Sequence, residues 1–158
     1  MVPTGTNLLG LVKHVALVEF GYLGNTFGRP SADEPAWDAS EPNSDMFATA
    51  DESRDFITGL YRRAWAHSDA TIEALALDAI GHVPWWPADQ NEVTLRHVLV
   101  RVIAGTARHA GHADIIRELI DGAAGLSAQY SNLPSEDKEW WSAYRGRVER
   151  LARQAAGG

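Results

Sequence analysis

Three histidines fall in a pattern that could do chemistry. His109 and His112 lie three apart within residues 93–122, VTLRHVLVRVIAGTARHAGHADIIRELIDG, and His14 lies in an apolar stretch near the N-terminus. On a helix, positions three apart are neighbours, close enough for two imidazoles to share a divalent metal. Burying a basic ring costs free energy unless its nitrogens find partners. The alternative to a metal is therefore that each ring bonds a carbonyl, a carboxylate or a buried water, and spacing alone leaves both readings open. The chain has no cysteine, so thiolate metal sites, Fe–S clusters, disulfides and cysteine nucleophiles are all excluded. Any metal must be held by His, Asp, Glu and water.

The element that must position the pair is one long amphipathic helix over residues 93–122. Written as heptads, its apolar face has two seams, Leu95, Val102, His109, Ile116 and Val98, Gly105, His112, Leu119, so both imidazoles are expected to point at the core. Thr4-Gly5-Thr6-Asn7 supplies a turn and an N-cap for an earlier helix over residues 8–26, with the ridge Leu8, Leu11, Val15, Val18, Tyr22 and His14 at its edge. Phe27-Gly28-Arg29-Pro30 ends it.

The next segment, SADEPAWDASEPNSDMF, is acidic, proline-punctuated and aperiodic. It reads as a long functional or poorly ordered loop, with Trp37 folding it back over something apolar. Thr49-Ala50-Asp51-Glu52 matches a capping box and predicts a second helix over residues 49–77, with His67 near its inward face. His82-Val83-Pro84-Trp85-Trp86-Pro87 is a rigid turn whose rings cap the end of a bundle or stand at a pocket mouth. A last helix is expected from Ser135 to about Gln154, with Trp140, Trp141, Tyr144, Val148 and Leu151 on its apolar side. Four helices, no strand alternation and no repeat predict an all-α bundle in a single domain over residues 1–158, where His14 could meet His109 and His112.

Composition narrows the class further. Hydrophobic content of 45% and charged content of 22% are those of an ordinary globular protein. No apolar run approaches a membrane span and the start lacks the marks of a signal peptide, so a cytoplasmic protein with no membrane partner is expected. A net charge of −7 argues against a nucleic-acid partner.

The stretches VPTGTNLLGLVKHVALVE, FGYLGNTFGRP and TARHAGHADIIRELIDG resemble the actinobacterial branch of the DinB/YfiT-like superfamily, which includes the N-terminal domain of mycothiol-dependent maleylpyruvate isomerase. The resemblance covers nearly the whole chain. It implies a four-helix bundle with up-down-down-up connectivity, often homodimeric, and a divalent metal, zinc or nickel, that activates a low-molecular-weight thiol such as mycothiol for transfer or isomerisation.

By the same resemblance His14 matches the early-helix ligand and His109 the last ligand, while the position four before His109, which carries His or Glu in relatives, is Gly105. At ~100° per residue, positions 105 and 112 lie to the same side of position 109, so His112 is the substitute that would restore a three-histidine set able to activate a thiol for transfer or water for hydrolysis. Otherwise the site is degenerate and the chain is a non-catalytic ligand-binding or interaction bundle.

Arg108 and Arg117 are the nearest cations for an anionic substrate, with Asp114, Glu118 and Asp121 as competing surface partners. His97, about 18 Å along the axis from His109, cannot join the same ligand shell. Relatives carry a helix before the PTGT segment. This sequence starts at the turn that would follow it, so either its start falls late or the face of the missing first helix is expected to be covered by a partner chain in a dimer.

Overall fold

The computed structural model describes residues 2–36, 40–127 and 129–157. Trp37, and with it the expected fold-back of the acidic loop, lies outside the described residues. The described residues are mainly α-helical, as the sequence predicts, with four α-helices and one two-stranded sheet among them. None of these helices is long and apolar enough to cross a membrane. The chain divides into two compact units, residues 1–122 and 123–158.

In the first unit, α1 (Leu8–Glu19) starts at Asn7, whose side-chain oxygen accepts the Gly10 N–H at 2.8 Å. Its helical path runs on through a π-helical turn at Phe20–Gly24 and a 3-10 turn at Asn25–Phe27, and Gly28 stops it in the left-handed conformation at φ 65°. The expected helix over residues 8–26 is thus continuous in path but changes its winding after Glu19.

The second helix, α2 (Arg54–Ala74), begins later than the Thr49–Glu52 motif suggests, because Ser53 is the residue that caps it. The bond from the Thr49 N–H to the Glu52 carboxylate does form, at 2.8 Å, and closes a turn ahead of the helix. Residues 80–94 hold a hairpin that the sequence pattern does not announce. Strands β1 (Ile80–His82) and β2 (Glu92–Thr94) pair antiparallel with Gly81 opposite Val93, and at three residues each they are too short to show alternation. Pro84-Trp85-Trp86-Pro87 sits in the connection between them. Thr94 then caps α3 (Leu95–Asp121), which ends on Gly122 at φ 73°.

Helix α1 is the central element of this unit, packing on α2 along one side and on α3 along another. Ala16 and Phe20 meet Leu60 and Ala64 on the α2 side. Tyr22 and Leu23 from the π-helical turn join Val83, Val93, Leu95, Val98 and Val102 in a second cluster under the hairpin. Every member of both clusters is buried, and apolar burial of this kind stabilises the fold by roughly 25 cal/mol per Å².

The second unit consists of a turn in which Leu126 N–H bonds Ser131 O at 2.9 Å, followed by α4 (Lys138–Ala156). Asp137 caps α4, and the Trp140 and Tyr144 rings stack at 5.2 Å on its surface.

Candidate functional site: an imidazole pair at one end of a cavity

The first unit holds an open cavity of about 1130 Å³ between α1, the π-helical turn and α3. His14 and His109 line one end of it, with ring centroids 4.7 Å apart at 70°. Of the two seams expected on α3, one is realised along its length: Leu95, Val102 and Ile116 are buried and His109 is half-buried. The other leaves the interior after Val98, with His112 exposed and Leu119 75% exposed. His112 still touches His109, ring to ring at 5.5 Å, but it does not line the cavity.

His14 is oriented by a carboxylate. Its Nδ1 lies 2.5 Å from Asp45 Oδ2, and both side chains are largely shielded from solvent. An ionised carboxylate only accepts, so Nδ1–H is the donor, and in a neutral ring Nε2 keeps its lone pair. This is the outer support that metal-binding histidines ordinarily have.

Asp45 comes from the acidic loop, and the loop is seated by α1. Asn7 Nδ2 donates to Met46 O at 3.3 Å, and Lys13 Nζ donates to Phe47 O at 3.1 Å and to Glu52 at 2.7 Å. A Cβ on Gly10 would fall on the Met46 carbonyl, so only glycine allows that approach. Burial alone would raise the Glu52 pKa, but the Lys13 ammonium and the Thr49 N–H bring it below the ordinary glutamate value of 4.5.

His109 has the opposite environment. Its Nδ1 is buried with no hydrogen-bond partner among the described residues. Burial lowers its pKa below the ordinary value of 6.5, and His14, His112 and Arg108 push the same way. The ring is therefore neutral at pH 7, the form that can accept a proton or a metal. A neutral imidazole with an orphaned buried nitrogen, beside a carboxylate-oriented second imidazole, fits a divalent cation held through nitrogen. A third protein ligand is not in place, since among the described residues no three His, Asp or Glu side chains converge as a ligand set. Gly105 also lines the cavity, and a Cβ there would meet nothing within 4 Å.

The remaining predicted residues separate cleanly. His67 is bonded through Nε2 to Arg29 O at 2.7 Å and serves the junction of the loop with α2. His97 lines the cavity far from the imidazole pair and packs 6.2 Å from the Trp86 ring. Arg108 lines the cavity next to His109; Arg117 does not. Sequence reasoning missed Asp45 and Arg101. The only signal for Asp45 was that an acidic loop of that length tends to serve a site. Arg101 had a stronger one, standing four and eight residues before Gly105 and His109 on a single helical ridge.

A family model described as mycothiol S-transferase matches residues 1–122, the whole of the unit that carries the cavity. No curated protein and no solved structure matches the chain. The match covers well over half of the sequence and agrees with the DinB-like pattern of its helices and histidines, so the chain belongs to the mycothiol S-transferase family.

Proposed function

We propose that this chain joins the sulfur of mycothiol, or of a low-molecular-weight thiol of that class, to an electrophilic carbon at the His14–His109 end of the cavity, the thiol proton being lost as the thiolate forms and the new C–S bond displacing a leaving group or a π pair at that carbon. The observation that carries this reading is the neutral His109, its buried Nδ1 without a hydrogen-bond partner among the described residues, held 4.7 Å from an Asp45-oriented His14 in a chain of this family. His14 and His109 would hold a divalent cation, zinc or nickel, with His112 as the nearest further imidazole and Gly105 leaving room for water or thiol. When bound, such a cation lowers the pKa of a coordinated thiol or water and so supplies a nucleophile at neutral pH.

The residues of the chain do the rest. Asp45 fixes the His14 tautomer, burial keeps His109 neutral, and Val15 beside His14 adds an apolar surface to the cavity wall.

The test is metal content by mass spectrometry on untagged protein, with thiol consumption measured on the same samples. About one ion per chain in the wild type, lost in His109→Ala together with thiol consumption, is the expected result. Absence of both zinc and nickel after incubation with either ion would overturn the metal assignment. One observation favours a second reading, a ligand-binding bundle without turnover: the third ligand position is a glycine open to the cavity. That reading predicts ligand binding with no thiol consumption under any metal loading.

A further inference from the structure

The far end of the same cavity is built around a cation. Arg101 Nε donates to the Tyr22 hydroxyl at 2.9 Å, and its guanidinium lies over the Trp86 ring at 4.8 Å and the Tyr22 ring at 5.4 Å. These contacts hold the group in place without neutralising it. Among the described residues neither Arg101 nor Arg108 has a carboxylate within ion-pair distance. The acids that line the cavity are engaged elsewhere, Asp45 on His14 and Glu34 accepting both its bonds from the Asn25 amide at 3.1 and 2.9 Å.

Arg101, Gly105 and His109 step along one ridge of α3 at intervals of four. The backbone positions of Arg101 and His109 thus stand about 12 Å apart along the axis, with a position that bears no side chain between them. Across the cavity, Trp85 stands edge-on to Tyr22 at 5.0 Å and provides an aromatic wall opposite the aliphatic α3 surface.

Resting on the thiol-transfer reading above, we infer that this trough seats the electrophile and that the electrophile carries a carboxylate. The carboxylate pairs with Arg101, a flat apolar body crosses α3 over Gly105, and the reacting carbon lies at the His14–His109 end. The planar guanidinium suits a carboxylate because it offers paired donors in a fixed fork, and its aromatic bracing means little freedom is lost on binding. Gly105 matters to the same ligand, because any larger residue on that ridge would stand in its path.

The test is calorimetric titration of the purified protein with cinnamate and with cinnamamide, a pair alike in shape and different in charge, in the absence of thiol. The wild type is expected to bind cinnamate about tenfold more tightly than cinnamamide. Arg101→Gln should bring that ratio below about twofold, while Gly105→Leu, whose side chain enters open space, weakens both probes and leaves the ratio unchanged.

His109→Ala distinguishes the source of the preference. If the ratio survives there, Arg101 holds the carboxylate; if it disappears there and survives Arg101→Gln, the carboxylate sits at the imidazole end and the inference is overturned. Equal binding of the two probes by the wild type, or undiminished binding of both by Gly105→Leu, also overturns it. Should Arg101→Gln fail to fold, Gly105→Leu and His109→Ala carry the decision. Since no thiol takes part, these outcomes are independent of whether thiol transfer itself is found.

Discussion

Gly10 stands in the first turn of α1 and Gly105 in the interior of α3, where glycine costs about 1 kcal/mol relative to alanine, and packing accounts for only the first of them. At Gly10 the Met46 carbonyl occupies the place of a Cβ, and that approach, with the Asn7 and Lys13 bonds beside it, brings Asp45 to His14. At Gly105 nothing lies within 4 Å of where a Cβ would be, and the space is the cavity itself. One glycine serves the scaffold that orients a site residue. The other borders the cavity, and no packing contact accounts for its cost.

The sharpest way to test the contrast is to add a single methyl group at Gly10. Gly10→Ala must push the Met46 backbone away, so a loss of about 3 kcal/mol is expected by chemical denaturation, with weaker metal retention as Asp45 is displaced. A stability within experimental error of wild type would mean that the seat is not needed.

Next in size is the ion pair in the same seat. Glu52→Gln should lower stability by about 2 kcal/mol at pH 7, because Lys13 is 7% exposed and loses a charged partner. The pH dependence has a definite sign. The folded state holds the Glu52 pKa below 4.5, so its contribution is present above that value and is lost as pH falls through the lower folded value. Stability curves of wild type and variant should therefore converge in acid; a constant offset down to the lowest pH would remove Glu52 from the seat.

At the other glycine the expected changes are smaller and opposite in direction. Gly105→Glu restores a carboxylate four residues before His109. Because loss of even an outer partner changes metal affinity about tenfold or more, a gain of at least that size for zinc is expected in a competition titration. No gain would count against His14 and His109 facing one point. Gly105→Ala should raise stability by about 1 kcal/mol, or the melting temperature by about 3 °C, since helix propensity improves and nothing is displaced. A melting temperature below wild type would mean that Gly105 also has a structural reason and that the contrast fails.

The helices themselves were legible from periodicity, as was the cap at Asn7, and the bundle reading with the resemblance brought His14 to the His109 ridge; the cap at Thr94 was not foreseen, since the helix was expected from Val93. His112 was not placed correctly by the same reasoning. Both heptad seams look equally apolar, yet α3 presents only one of them to α1 and the hairpin beyond Val98, and the other is exposed at His112 and Leu119. The strands were invisible because three residues carry no readable alternation. The Thr49–Glu52 motif was real as a bond and misleading as a boundary, since Ser53 offers its own hydroxyl to the Phe56 N–H at 3.1 Å.

By itself the sequence determined that the protein is helical and that no cysteine thiolate takes part, because residue types and helical spacing are local properties read directly, while the family resemblance tied His14, Gly105 and His109 to one question. Tertiary structure alone decided that Asp45 orients His14, that the His109 Nδ1 is buried without a partner among the described residues and that Arg101 faces the same cavity among aromatic rings. Those facts depend on close approaches between segments about 30 to 80 residues apart in the chain, at Met46 on Gly10, Asp45 on His14 and Tyr22 on Arg101, and no local pattern encodes which of many possible approaches the packed core permits.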